Sequence, residues 1–131
     1  MIQFTERGPH FLFVAETRGV ICGYACSTRL RSRPAYDTSV ETAVYLDASV
    51  TGRGIGRVLY TRLLGALQET RVHRIFAAIS LPNQPSIQLH EALGYRHVGT
   101  WGQVGFKFGR YWDVAWFERP LDSNSPPVEA C

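Results

Sequence analysis

The sequence predicts an α/β domain built on a mixed central sheet with a βαβ crossover. Three observations lead there. Short runs of apolar, aromatic and β-branched residues open the chain, a glycine cluster is followed by leucines at helical spacing, and a second β-branched run comes directly after that helix. With 131 residues, 45% of them hydrophobic, the chain suits one domain over residues 1–121. Residues 122–131 are Pro- and Ser-rich without any period, and are expected to form a disordered tail.

Residues 11–16 and 20–27 read as two antiparallel strands joined by the hairpin signal Thr17-Arg18-Gly19. A polar link over 28–39 carries Arg29, Arg31 and Arg33 before Pro34. The run 40–46 then alternates, with Val40, Thr42, Val44 and Leu46 on one face and Glu41, Ala43 and Tyr45 on the other. After Gly52-Arg53-Gly54-Ile55-Gly56, the spacing of Val58, Leu59, Leu63, Leu64 and Leu67 predicts an amphipathic helix to about Thr70. Residues 74–80 form the next strand. A break at Leu81-Pro82-Asn83-Gln84-Pro85-Ser86 precedes a short helix, with Ser86 as its expected cap and Gly94 as its close. Strand, helix and strand in this order imply a right-handed crossover. From Tyr95 onward, turns are expected at Gly99, Gly102, Gly105 and Gly109, and an alternating strand over 111–118 completes a terminal hairpin.

Composition excludes several classes. No stretch approaches the roughly 20 apolar residues of a membrane helix, and residues 1–19 lack the order of a signal peptide. We therefore expect a soluble, cytoplasmic protein that contacts no membrane. The formal charge of +3 is scattered along the chain, which suits a small polyphosphate ligand as well as nucleic acid. No aromatic and basic constellation points to a nucleic-acid reader. Of three cysteines, Cys22 and Cys26 are expected on one strand face, too far apart to bridge. No CxxC or HxxxH pair offers a metal site.

Strand, glycine loop and helix together make an anion site, because glycines admit the ligand to the backbone and the helix start directs N–H groups at negative charge. The P-loop pattern fails, since no Lys followed by Ser or Thr comes after the last glycine. The dinucleotide fingerprint fails too, because Arg57 stands where its third glycine belongs. Taken alone, the loop is equally well read as a turn that starts a helix.

The run from Val44 through Tyr60 resembles the coenzyme A loop of the GNAT superfamily of N-acetyltransferases. Gly54 and Gly56 match its pattern, and Thr51 replaces the usual Arg or Gln. A second signature of that superfamily is matched by Asn83, Ser86 and Leu89-His90-Glu91-Ala92-Leu93-Gly94-Tyr95. Within it, Arg33-Pro34-Ala35-Tyr36-Asp37, Glu41-Thr42-Ala43-Val44-Tyr45 and Gly105-Phe106-Lys107-Phe108-Gly109-Arg110-Tyr111-Trp112 resemble the phosphinothricin acetyltransferase family. Its members acetylate small amino-acid analogues such as phosphinothricin, methionine sulfoximine and methionine sulfone.

The resemblance implies a GNAT fold, acetyl-CoA as co-substrate, no metal, a small-molecule amine as partner and a homodimer. It implies that Glu41 is the general base and that Val44, Tyr45 and Leu46 offer backbone to the pantetheine amides, one N–H polarising the thioester carbonyl. Gly52, Arg53, Gly54, Ile55, Gly56 and Arg57 would hold the pyrophosphate, and Asn83 and Ser86 would meet the pantetheine arm. Arg31, Arg33 and Tyr36 would grip the acidic end of the substrate. His90 occupies the place where many relatives carry a tyrosine that protonates the leaving thiolate. On the residues alone, Glu41 is equally a solvated strand residue, both loop arginines are solvated helix-start residues, and His90 is a satisfied structural histidine.

Residues 11–16 match the second strand of the family fold. The usual opening strand and two helices, on the order of 40 residues, are therefore expected to be missing. That shortfall would expose apolar sheet surface and open the acceptor pocket. The alternative to an N-acetyltransferase is accordingly a shortened coenzyme A binding module with weak turnover or none.

Overall fold

In the computed structural model, the described residues are 2–4, for their backbone, and 9–121. Seven strands form one sheet in the order β1-β2-β3-β4-β5-β7-β6. They are β1 (Ile2–Phe4), β2 (Leu12–Thr17), β3 (Val20–Arg29), β4 (Ser39–Leu46), β5 (Arg74–Ser80), β6 (Arg96–Lys107) and β7 (Arg110–Pro120). Two helices are added, α1 (Ile55–Gln68) between β4 and β5, and α2 (Gln84–Ala92) between β5 and β6. The β4 and β5 strands are parallel and every other pair is antiparallel, which makes the sheet mixed. The expected tail at 122–131 lies outside the described residues.

The β2–β3 hairpin turns through Arg18 and Gly19, both with positive φ, the two-residue geometry that suits strand twist. A β-bulge in this ladder corrects the expected placement of the cysteines. Cys22 enters the core cluster with Ala25, and its thiol lies 3.4 Å from the Ala15 carbonyl. Cys26 pairs across from Ala43 and so shares the Glu41 face. One strand was not foreseen: β1 pairs antiparallel with β2 at the edge. Among the described residues, no helix precedes β2.

Helix α1 packs over β2, β3 and β4. Its buried row is Gly56, Leu59, Tyr60, Leu63, Leu64 and Leu67. Val58, expected in that row, is 49% exposed, because it lines up at helical spacing with the exposed Arg62 and Gly65. Tyr60 takes the buried place instead.

Helix α2 begins one turn earlier than its expected cap. Asn83 is the N-cap, and its side chain accepts from the Ser86 N–H at 3.3 Å. At the other end, Arg119 donates from Nε to the Leu93 carbonyl at 2.7 Å, covering a carbonyl at the helix terminus.

In the terminal hairpin only Phe108 and Gly109 form the turn. Gly99, Gly102 and Gly105, expected as turns, lie within β6, whose ladder slips between His97 and Gly99 and again between Trp101 and Gly105. Asp113 accommodates the second slip by accepting from the Gln103 N–H at 2.8 Å.

Leu63 is fully buried where α1 meets the sheet. Leu63→Ala is expected to destabilise the fold by about 3 kcal/mol, read from the midpoint and slope of urea unfolding.

Candidate active site

The site begins where β4 and β5 part. Their parallel ladder pairs Ser39 with Arg74, Val40 with Ile75 and Glu41 with Phe76, and then stops. Beyond Glu41, β4 runs on to Leu46 with its β5-side edge free of ladder bonds, so a ligand's amides can pair there as a strand would.

Val44, Tyr45 and Leu46 line one wall of a cleft of about 400 Å³ at this opening. Thr51, Gly52, Gly54, Gly56 and Arg57 form the second wall, and Asn83, Pro85, Ser86 and Leu89 form the third. The walls come from three separate segments, β4, the glycine loop and the start of α2. Nine of the expected cofactor residues therefore meet in one place. Arg53 and Ile55 do not: Arg53 is exposed, and Ile55 packs against the core. Thr51, which stands where the loop pattern has Arg or Gln, lines the cleft too, as do Pro85 and Leu89, to which the sequence reading gave no role.

Gly54 caps α1 at φ 77° and contributes no side-chain cap. The first helical bond runs from the Val58 N–H to the Gly54 carbonyl, so the N–H groups of Ile55, Gly56 and Arg57 have no intrahelical acceptor. These donors, the positive end of the helix dipole and Arg57 make an anion cradle. The approach of β4 to α1 depends on absent side chains. A Cβ on Gly23 would come within 2.7 Å of Leu46 Cδ2, and one on Gly56 within 3.1 Å of Leu46 Cδ1.

Glu41 is half-buried on the opposite face of the sheet. Burial raises its pKa above the ordinary glutamate value, and Arg31 acts against that rise. Arg31 also lines a second, apolar cleft of about 250 Å³ with Leu30, Phe76, Val98, Trp101 and Trp116. Trp116 and Trp101 pack at 5.0 Å, and Trp116 Nε1 is buried with no hydrogen-bond partner. Arg33 and Tyr36, expected beside Arg31, line neither of these clefts. Arg33 precedes the 3-10 turn Pro34–Tyr36, and Tyr36 is 44% exposed. Phe76, Trp101 and Trp116 escaped the sequence reading because their meeting depends on strand order. The alternation of β7 was the only available signal.

His90 is 3% exposed and both ring nitrogens are engaged. Nε2 lies 2.9 Å from the Tyr60 hydroxyl, and Nδ1 lies 2.7 Å from the Ser86 carbonyl. Burial lowers its pKa, which favours the neutral ring. The expected proton donor thus faces the protein interior. Among the described residues, no group of three His, Cys, Asp or Glu is placed to hold a metal ion.

Residues 1–95 match the family model described as Acetyltransferase (GNAT) family. A Streptomyces coelicolor protein named phosphinothricin N-acetyltransferase is 51% identical over 124 residues, covering 92% of this chain and 72% of that protein. The L-methionine sulfoximine/L-methionine sulfone acetyltransferase of Salmonella typhimurium is 36% identical, covering 92% of this chain and 70% of its own length. The structure of a GNAT superfamily phosphinothricin acetyltransferase from Sinorhizobium meliloti in complex with AcCoA superposes with a TM-score of 0.83 at 36% identity. It covers 92% of this chain and 66% of that one.

Gly54→Asp sets a carboxylate where the cradle requires an anion and strains a left-handed position. Titration calorimetry is expected to show no acetyl-CoA binding by this variant, with the circular dichroism of the folded state retained.

Proposed function

The chain belongs to the GNAT acetyltransferase family, and from that premise we propose that it transfers the acetyl group of acetyl-CoA to the primary amine of a small amino-acid-like acceptor. The acceptor is of the phosphinothricin, methionine sulfone or methionine sulfoximine type, as the names of its relatives indicate. The observation that carries this reading is the meeting of β4, the glycine loop and α2 in one phosphate-ready cleft where β4 and β5 part. The half-buried Glu41 carboxylate lies at the same fork on the opposite face, and its β5 partner Phe76 lines the apolar cleft there together with Arg31.

Acetyl-CoA supplies a thioester carbonyl that an uncharged amine can attack. The residues fit this co-substrate: the α1 N–H groups, Arg57 and the glycine loop suit a pyrophosphate, and the free edge of Val44–Leu46 suits a chain of amides. A backbone N–H on that edge polarises the carbonyl. Glu41 takes the proton from the acceptor ammonium, directly or through water, since the ammonium has no lone pair until it loses one. Arg31 holds the acceptor's acidic group while the Phe76, Trp101 and Trp116 surface takes its aliphatic part. No helix among the described residues is long and apolar enough to cross a membrane, and the reaction is assigned to the cytoplasm. The exposed Phe106, Phe108 and Tyr111 of the terminal hairpin form the contact of a homodimer.

Glu41→Gln is expected to lower kcat by about a hundredfold with the acetyl-CoA Kd unchanged, measured by thiol release and calorimetry. In the parent protein, rate falls as pH drops through the Glu41 pKa, and burial sets this acid limb above the ordinary glutamate range. A thiol-release panel of phosphinothricin, methionine sulfone and methionine sulfoximine tests the acceptor class. Acetyl-CoA binding without amine-dependent release across that panel would identify a binding module instead. Phe108→Glu is expected to halve the mass in light scattering, and a parent protein that is already monomeric removes the dimer from the reading.

A further inference from the structure

Behind the parting strands lies a chain of buried hydroxyls. Thr42 Oγ1 is 2.7 Å from the Tyr95 hydroxyl and 2.8 Å from the Tyr60 hydroxyl, and Tyr60 in turn meets His90 Nε2. The donor sense of the whole chain follows from its last member. The Ser86 carbonyl can only accept, so His90 Nδ1 carries the proton and Nε2 of the neutral ring accepts. Tyr60 therefore donates to His90, Thr42 donates to Tyr60, and Tyr95 donates to Thr42. Every hydroxyl hydrogen has an acceptor in this one direction. A charged ring would donate from Nε2, so the Tyr60 hydroxyl would have to turn its hydrogen away from His90 and the order of donors along the chain would be broken at that bond. Thr42 is 2% exposed, Tyr60 0% and Tyr95 3%, so solvent supplies no replacement partner for a bond lost here.

Through Tyr60 of α1 this chain ties β4 to α2, the elements that carry two walls of the cofactor cleft. Thr42 is the first β4 residue beyond the last β4–β5 pair and lies two residues before the lining residue Val44, and His90 lies on α2 between the lining residues Ser86 and Leu89 and the helix end. The aromatic rings fill the space between, with His90 at 5.0 Å from Tyr60 and 4.9 Å from Tyr95, both nearly edge-on.

We propose that Thr42, Tyr60, Tyr95 and His90 form an internal strut that fixes the distance between β4 and α2, and that His90 is a positioning residue for acetyl-CoA rather than the donor of a proton to the leaving thiolate. The inference rests on the acetyl-CoA reading above. Its own content is that a hydrogen-bond chain in the core sets the width of the cleft. Thr42→Val and Tyr60→Phe keep volume while removing one hydroxyl each.

Each variant is expected to weaken acetyl-CoA binding about tenfold by calorimetry, with the kinetic loss falling on KM for acetyl-CoA rather than on kcat. His90→Gln retains a donor and an acceptor but has no titrating proton, and is expected to recover much of the affinity lost in His90→Leu. Nitrogen-15 NMR of the parent protein at pH 7 is expected to show the neutral ring protonated on Nδ1, a reading that needs neither cofactor nor variant. Three results overturn the strut: a ring protonated on Nε2, unchanged acetyl-CoA affinity in folded Thr42→Val and Tyr60→Phe, or equal loss of kcat in His90→Gln and His90→Leu with affinity intact. A parent protein that does not bind acetyl-CoA at all overturns the cofactor reading itself. Parent binding with unaffected variants overturns the strut alone.

Discussion

The structure depends on a ladder that ends early. Parallel strands β4 and β5 pair through three residues and then diverge, and a diverging sheet has to fill the wedge it opens. On the helix side, the wedge is filled by polar groups that satisfy one another, because Thr42 lies on the buried face and each hydroxyl there needs a partner. An apolar filling would close the gap by packing alone. Directional bonds hold it at a set width, and the free edge of Val44–Leu46 follows from that width.

Glu41 lies at the fork itself. It is the last β4 residue in register with β5, so it combines a backbone fixed by pairing on both sides with a side chain on the face opposite α1. Burial raises its pKa above the ordinary glutamate value while Arg31 moderates the rise, so the carboxylate is more basic than a solvated one. That suits the proton-accepting role proposed for it. The apolar surface next to it, with the unpartnered Trp116 Nε1, favours an acceptor that brings an aliphatic stem and a hydrogen-bond-accepting oxygen.

Much of this was legible in local pattern. The alternation of residues 40–46 identified β4 and the face of Glu41, and the glycine cluster followed by leucines identified the cradle at the start of α1. The resemblance then linked that cradle to Asn83 and Ser86, which do meet it in space. Features that escaped were those set by distant partners. Thr42, Tyr60 and Tyr95 are 18 and 53 positions apart along the chain, so no local period reports their contact. Asn83 rather than Ser86 caps α2, because two neighbouring residues with cap propensity compete and geometry decides between them. Glycines in β6 were read as turns because composition signals a break in regularity without saying whether the chain reverses or only bulges.

Leu46 links these parts in one further way. Its two methyl groups occupy spaces left by the missing side chains of Gly23 and Gly56, one on a neighbouring strand and one on the cofactor helix. Three positions distant in sequence therefore share a single volume. Enlargement at residue 56 calls for a smaller residue at 46, and a smaller residue at 46 alone leaves a void beside the cleft. Residue 23 is held more strictly, because a Cβ there would also come within 2.8 Å of the Tyr45 backbone carbonyl, which no change at 46 relieves; 46 and 56 are free to vary only as a pair, and 23 stays glycine.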